Sequence, residues 1–265
     1  MKHKEGVLVQ GHRGARAVRP ENTLAAFQYA LEIGVDVLEL DLGVTRDGVL
    51  VVSHDPYISD GRAPNHGMNP GGRGTMIRSL TRNEAPAIPT LEEVFELVKA
   101  STLPAAREVW LNIETKSFRD MTFDDHPLGP SEFARLWLEV VSKHRMLDRS
   151  ILQSFDWRTL IAARALEPRI VISVLTEDPT ENLVATADAL RPEWISPRWD
   201  MPNVTKATVD RLHQSGVQVA VWTPNACHAW DSLVAMGVDS IITDDPAALL
   251  VHLGSRPANR PSHPL

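Results

Sequence analysis

Across about 250 residues, eight short apolar runs each lead into a segment with helical spacing, and this alternation limits what the chain can fold into. Runs beginning at Val7, Val35, Val109, Ser150, Arg169, Trp194, Val217 and Val238 read as strands, with 49–53 as a hairpin extension of the second. The run at 35–42 is nearly continuous in Val and Leu, the pattern of a strand covered on both faces. Strands of that kind lie parallel and need helical crossovers. The spacing therefore predicts an α/β chain folded as a closed (β/α)8 TIM barrel. An open doubly wound sheet would call for a glycine-rich phosphate loop or a switch-point crevice, and no G-x-G-x-x-G follows the first run.

Punctuation between the runs agrees with this. Glu21, Asn22 and Thr23 open a helix whose apolar positions are Leu24, Phe27, Ala30 and Leu31. Thr90 with Glu93 three residues on forms a capping box ahead of the stripe Leu91, Val94, Leu97 and Val98. Further helices are expected at about 156–167, 180–190, 204–215, 226–236 and 246–253. Residues 56–88, rich in Gly and Pro, read as an excursion without elements after the second-strand hairpin. Its Arg62, His66, Arg73 and Arg78 are either solvated loop charges or a grip on an anionic substrate. Residues 1–253 are expected to form a single catalytic barrel, and 254–265, with three prolines, a disordered tail.

Composition excludes several classes. The formal charge is 27 − 34 = −7 with no basic block, so a nucleic-acid partner is not expected. No run approaches the ~20 apolar residues of a membrane span. The apolar stretch 7–9 is far shorter than the core of a secretory signal, which favours a cytoplasmic protein without stable membrane insertion. One cysteine, Cys227, excludes an intrachain disulfide framework and reads as a small buried residue. The oligomeric state is not encoded in any visible pattern.

Chemistry concentrates between Gly11 and Asp55. His12 and Arg13 stand at the end of the first strand. Glu39 and Asp41 are two residues apart and share one face of the second, where apolar flanks argue against a solvated surface. Two such carboxylates repel, so a cation should lie between them. An Asp47-Gly48 turn then carries the chain back to Ser53, His54 and Asp55. On the third strand Glu114 shares a face with Asn112 and Lys116 and supplies a third carboxylate, completing an all-oxygen site for a hard cation. With Trp222, every candidate falls at or near a strand's C-terminal end, where barrel enzymes carry their sites.

The ordered set His12-Arg13-Gly14, Glu21-Asn22-Thr23, Glu39-Leu40-Asp41, Thr45-Arg46-Asp47-Gly48, Val52-Ser53-His54-Asp55, Ile88-Pro89-Thr90-Leu91-Glu92-Glu93, Asn112-Ile113-Glu114-Thr115-Lys116, Gln153-Ser154-Phe155-Asp156, Val221-Trp222-Thr223 and Ile242-Thr243-Asp244 resembles the glycerophosphodiester phosphodiesterase family over nearly the whole chain. The resemblance implies hydrolysis of a small-molecule phosphodiester to glycerol 3-phosphate and an alcohol. It implies Mg2+ or Ca2+ on Glu39, Asp41 and Glu114, and His12 and His54 as an acid-base pair. Arg13 and Lys116 would bind phosphate, Trp222 would line the glycerol end, and Glu21 would orient the cluster. The chain departs from the family after His54, where Ile58-Ser59-Asp60-Gly61-Arg62 and a Gly/Pro-rich run replace the common Leu-x-Arg-Thr-Thr-x-Gly segment.

Other readings compete. A phospholipase D-like enzyme acting on lysophospholipid or sphingolipid head groups would use a similar histidine pair and an apolar groove, for which Met68, Met76 and Ile77 are candidates. A barrel that binds without turnover would have lost a histidine or carboxylate, and none is missing. A Schiff-base aldolase would carry a lysine inside a strand, whereas Lys116 lies just beyond one.

Overall fold

The computed structural model describes residues 6–58, 74–117 and 128–254. Strand β1 (Leu8–Gly11) leads through α1 (Leu24–Ile33) to β2 (Val37–Val44), which returns antiparallel as β3 (Leu50–Val52). A small ribbon, β4 (Tyr57–Ile58) with β5 (Thr75–Met76), precedes α2 (Leu91–Ala100), α3 (Pro104–Glu108) and β6 (Trp110–Thr115). Then come α4 (Pro130–Lys143), β7 (Ser150–Ser154), α5 (Trp157–Leu166), β8 (Val171–Thr176), α6 (Leu183–Leu190) and β9 (Trp194–Pro197). The chain ends with α7 (Lys206–Gln214), β10 (Gln218–Trp222), α8 (Cys227–Met236), β11 (Ser240–Thr243) and α9 (Pro246–His252). Because β1 pairs in parallel with β2 on one side and β11 on the other, the eight parallel strands close into the expected barrel. Among the described residues, no helix is long and apolar enough to cross a membrane.

Local chemistry explains the element boundaries. The Thr23 hydroxyl accepts the Ala26 N–H at the start of α1, and Gly34 at φ 86° ends it in the left-handed conformation. The Thr90–Glu93 capping box opens α2 as expected. At the opposite face from the site, carboxylates take up the N–H groups of entering strands. Asp36 accepts from Val9, Glu193 from Ile172 and Asp239 from Val219, at 2.9, 2.9 and 2.7 Å. The main core lies between strands and helices, and the barrel is plugged from within by Leu8, Ile151, Trp194, Ala220 and Ile242.

Strand starts lie within two residues of the sequence-based expectation, but four features differ. The longest helix, α4, was not anticipated although Gly129-Pro130 precedes an inward stripe of Phe133, Ala134, Trp137 and Val141. The short α3 was not anticipated either. The excursion is not without elements, because β5 is followed by short turns whose Ile77, Ala85 and Ile88 pack on Val51. Cys227 is exposed, not buried, because it shares the outer row of α8 with Asp231 and Val234 while Ala229, Trp230 and Leu233 face inward. Arg62, His66, Met68, Arg73 and the tail 255–265 lie outside the described residues.

Gly14 supports the close approach of the loop after β1 to α1. It sits at φ 90°, and a Cβ there would lie 2.7 Å from Ala26 Cβ, whereas one on Gly34 would meet nothing within 4 Å. Gly34→Ala should cost about 1–2 kcal/mol from the left-handed backbone alone. Gly14→Ala should add roughly 1–3 kcal/mol of overpacking. Urea midpoints should therefore fall in the order wild type, Gly34→Ala, Gly14→Ala. Equal midpoints for the two variants would contradict the close approach.

Candidate active site

The mouth of the barrel is built from strand ends. Along β2, Glu39 and Asp41 both point inward, and β6 places Glu114 in register with Asp41. One oxygen from each of the three lies within 4.8 Å of the others, and all three residues are buried. Three carboxylates so close are opposed by the cations that the sequence led one to expect. Arg13 Nε lies 3.1 Å from Asp41 Oδ2, and Lys116 Nζ lies 2.7 Å from Glu114 Oε1 and 3.5 Å from Asp41 Oδ1. Arg13 also donates Nη1 to Glu21 Oε1 at 2.7 Å, so its charge is shared. Glu21 in turn lies 2.9 Å from Arg16 Nε.

These charges do not balance evenly. Burial acts against ionised Asp41, but Lys116, Arg13, His54 and the Asn22 amide overcome it and hold its carboxyl well below the usual range. Glu39 is pushed well above its ordinary value by burial and by the charges of Asp41 and Glu114. Glu114 is raised by burial despite Lys116. The shortage of positive charge thus falls on Glu39 and Glu114. Asp41 Oδ1 is buried and accepts no hydrogen bond among the described residues. Hard oxygen donors, an unused lone pair and a local charge deficit fit a divalent ion with oxygen ligands.

The histidines flank this group. His12 Nδ1 lies 2.5 Å from Asp244 Oδ1, which can only accept, so the ring carries its proton there and turns Nε2 to within 4.0 Å of Glu39 Oε2. Asn225 holds Asp244 in place, donating Nδ2 to Asp244 Oδ2 at 2.8 Å and accepting the Asp244 N–H at 2.9 Å. Burial, helped by the charge of Arg13, pushes the His12 pKa below its usual value against the pull of Asp244. His54 stands at a more open place, its Nδ1 2.9 Å from Asp55 Oδ1, and its charge acts on Asp41 and Glu114. Each imidazole therefore has a carboxylate of its own on Nδ1.

His12, Arg13, Glu21, Glu39, Asp41, His54, Glu114 and Lys116 are joined by contact or by close charge. Trp222 stands elsewhere on the rim, at the end of β10, with Nε1 donating to Ser196 O at 2.8 Å and Phe155 meeting its ring edge-on at 5.6 Å. Arg78, a possible anion grip, donates to the Thr45 carbonyl at 2.7 Å. Sequence reasoning gave no role to Asp244, Asn225, Asp55, Asn22 or Gln153. Asp244 could have been found, since it directly follows the last strand's C-terminal end as His12 follows the first.

Comparison with known proteins decides the family. A profile of the glycerophosphoryl diester phosphodiesterase family matches residues 12–248. The chain belongs to that family. It is 31% identical to a glycerophosphodiester phosphodiesterase from Caldanaerobacter subterraneus subsp. tengcongensis, over 92% of this chain and 96% of the relative. It is 27% identical to a lysophospholipase D of Homo sapiens, over 90% of this chain and 83% of that one. A crystal structure of a glycerophosphodiester phosphodiesterase from Thermotoga maritima superimposes with a TM-score of 0.71 at 27% identity, covering 94% of this chain and 99% of that one. As a glycerophosphodiester phosphodiesterase, the enzyme is a phosphoric diester hydrolase.

The His12–Asp244 pairing makes a titration prediction. Asp244 favours the imidazolium through both hydrogen bond and charge, so its neutral replacement must shift the ring further down. In Asp244→Asn, the His12 midpoint followed by NMR should lie below that of the wild type. An unchanged or higher midpoint would contradict the pairing.

Proposed function

We propose that this barrel, residues 1–253, hydrolyses glycerophosphodiesters to glycerol 3-phosphate and an alcohol, with Glu39, Asp41 and Glu114 holding Mg2+ or Ca2+ and His12 and His54 as the acid-base pair. The observation that carries this reading is the buried carboxylate trio, short of positive charge and flanked by two imidazoles that each have a carboxylate on Nδ1. When bound, the ion would neutralise phosphoryl oxygens as a Lewis acid.

The chain's own groups supply the rest. Arg13 offers a guanidinium, and Lys116 an ammonium, to the phosphoryl oxygens, while Glu21 holds Arg13 in orientation. His12, whose burial disfavours the imidazolium, starts uncharged and accepts the nucleophile's proton at Nε2. His54, the more exposed ring, gives a proton to the departing alkoxide. The nucleophile is a neighbouring hydroxyl of the substrate or a water molecule, and release of a cyclic phosphate separates the two. Trp222, braced by Phe155, forms an apolar wall for the glycerol end.

A lysophospholipase D reading has support from the human relative. The groove expected for it is weakened because Ile77 is buried beneath β3, packed on Val51. Glycerophosphocholine should therefore be turned over faster than lysophosphatidylcholine.

Purified protein given a panel of glycerophosphodiesters should release glycerol 3-phosphate, and EDTA should abolish the release. No release from any of them would refute the reading. His12→Ala and His54→Ala should each lower kcat by ~10²- to 10⁴-fold, with divalent affinity largely kept. Glu114→Ala should instead lose affinity for the ion. If extra Mg2+ or Ca2+ returned His54→Ala to the wild-type rate, the acid-base assignment would be wrong.

A further inference from the structure

Beneath the three carboxylates, the barrel interior is crossed by a string of side chains that the mechanism does not use. Gln10, Asn112, Gln153 and Ser240 are each buried to 2% exposure or less. The sense of their hydrogen bonds is fixed from one end. The Leu8 carbonyl can only accept, so Ser240 gives it the single hydroxyl proton at 3.0 Å. Ser240 Oγ is then left to accept from Gln10 Nε2, also at 3.0 Å. That turns Gln10 Oε1 toward Asn112, whose Nδ2 donates to Gln10 Oε1 at 3.0 Å and to Gln153 Oε1 at 2.9 Å. With its oxygen engaged, Gln153 presents Nε2 to Glu39 Oε1 at 3.0 Å.

Glu39 Oε2 is held separately by the Arg13 backbone N–H at 2.8 Å. Each oxygen of Glu39 therefore carries one fixed donor, which sets the plane of the carboxylate. Stability alone is a poor reason for the string, since Asn112 Oδ1 is buried and accepts nothing among the described residues. Such an orphan typically costs about 1–3 kcal/mol.

We propose that Ser240, Gln10, Asn112 and Gln153 act together as positioning residues that orient Glu39 for divalent-cation binding, with Asn112, the double donor, passing the sense fixed at Ser240 on to Gln153. The inference rests on the cation reading above. Asn112→Asp reverses that sense at nearly constant size, because an ionised aspartate only accepts. Gln10 and Gln153 must then turn their amides toward it, and Gln153 Oε1 comes to face Glu39, acceptor against acceptor.

Calorimetric titration of metal-free protein with Mg2+, and separately with Ca2+, tests this, with melting in EDTA as the check on folding. Asn112→Asp and Gln153→Leu should each weaken cation affinity by about 10–100-fold, the usual effect of losing a partner behind a metal ligand. Ser173→Ala is the control. Ser173 is buried in register with Gln153 but bonds to Ser196, outside the string, so its loss should leave affinity at the wild-type level. If Asn112→Asp does not fold, Gln153→Leu decides. Wild-type affinity in the folded variants, or an equal loss in Ser173→Ala, would overturn the positioning role alone. A wild-type protein that binds neither ion would overturn the cation reading, and the string's role with it.

Discussion

Three buried carboxylates confined within a few ångströms of one another are the arrangement around which the rest of the site is built. Left alone they could not all ionise, because burial and mutual repulsion both oppose charge. Arg13 and Lys116 relieve part of this, chiefly at Asp41, and leave Glu39 and Glu114 under-compensated. The partners follow from that inequality. Glu21 restrains the arginine, Asn22 secures Asp41 with its amide at 2.8 Å, and Gln153 reaches Glu39 from below. A pocket that had fully neutralised its own charge would have no use for a cation.

The two imidazoles differ in their surroundings. His12 is enclosed and bonded to Asp244, which is itself tied to Asn225 in the loop after β10. His54 follows β3 and is bonded to the adjacent Asp55, with a third of its side chain in contact with solvent. The same residue type thus occupies a dry position and a wet one, and that contrast is a common way for a site to separate proton acceptor from proton donor.

The barrel was legible because its strands are short, largely apolar runs that alternate with helical stripes and its turns are conventionally marked, as at Thr23, Thr90 and Gly48. Glu39, Asp41 and Glu114 were legible for a related reason: charge inside an apolar run breaks the pattern. The supporting groups were harder to see. Asp244, Asn225 and Gln153 act on residues 232, 19 and 114 positions away, and nothing local to an Asn or Gln announces such a partner. Helix α4 was missed for a different reason, since its apolar stripe begins directly after a Gly-Pro pair that also reads as loop. Cys227 shows the limit of residue-type habits, because the row of the helix on which it falls decided its exposure.

The seam of the barrel gives the fold a temporal order. β1 is hydrogen-bonded to β11, and the aspartate that orients His12 lies just past that final strand, near the far end of the chain. During synthesis, His12, His54 and the three clustered carboxylates emerge from the ribosome long before Asp244. Until the C-terminal portion docks, His12 lacks the group that fixes its tautomer. That pairing therefore waits on a residue made 232 positions later.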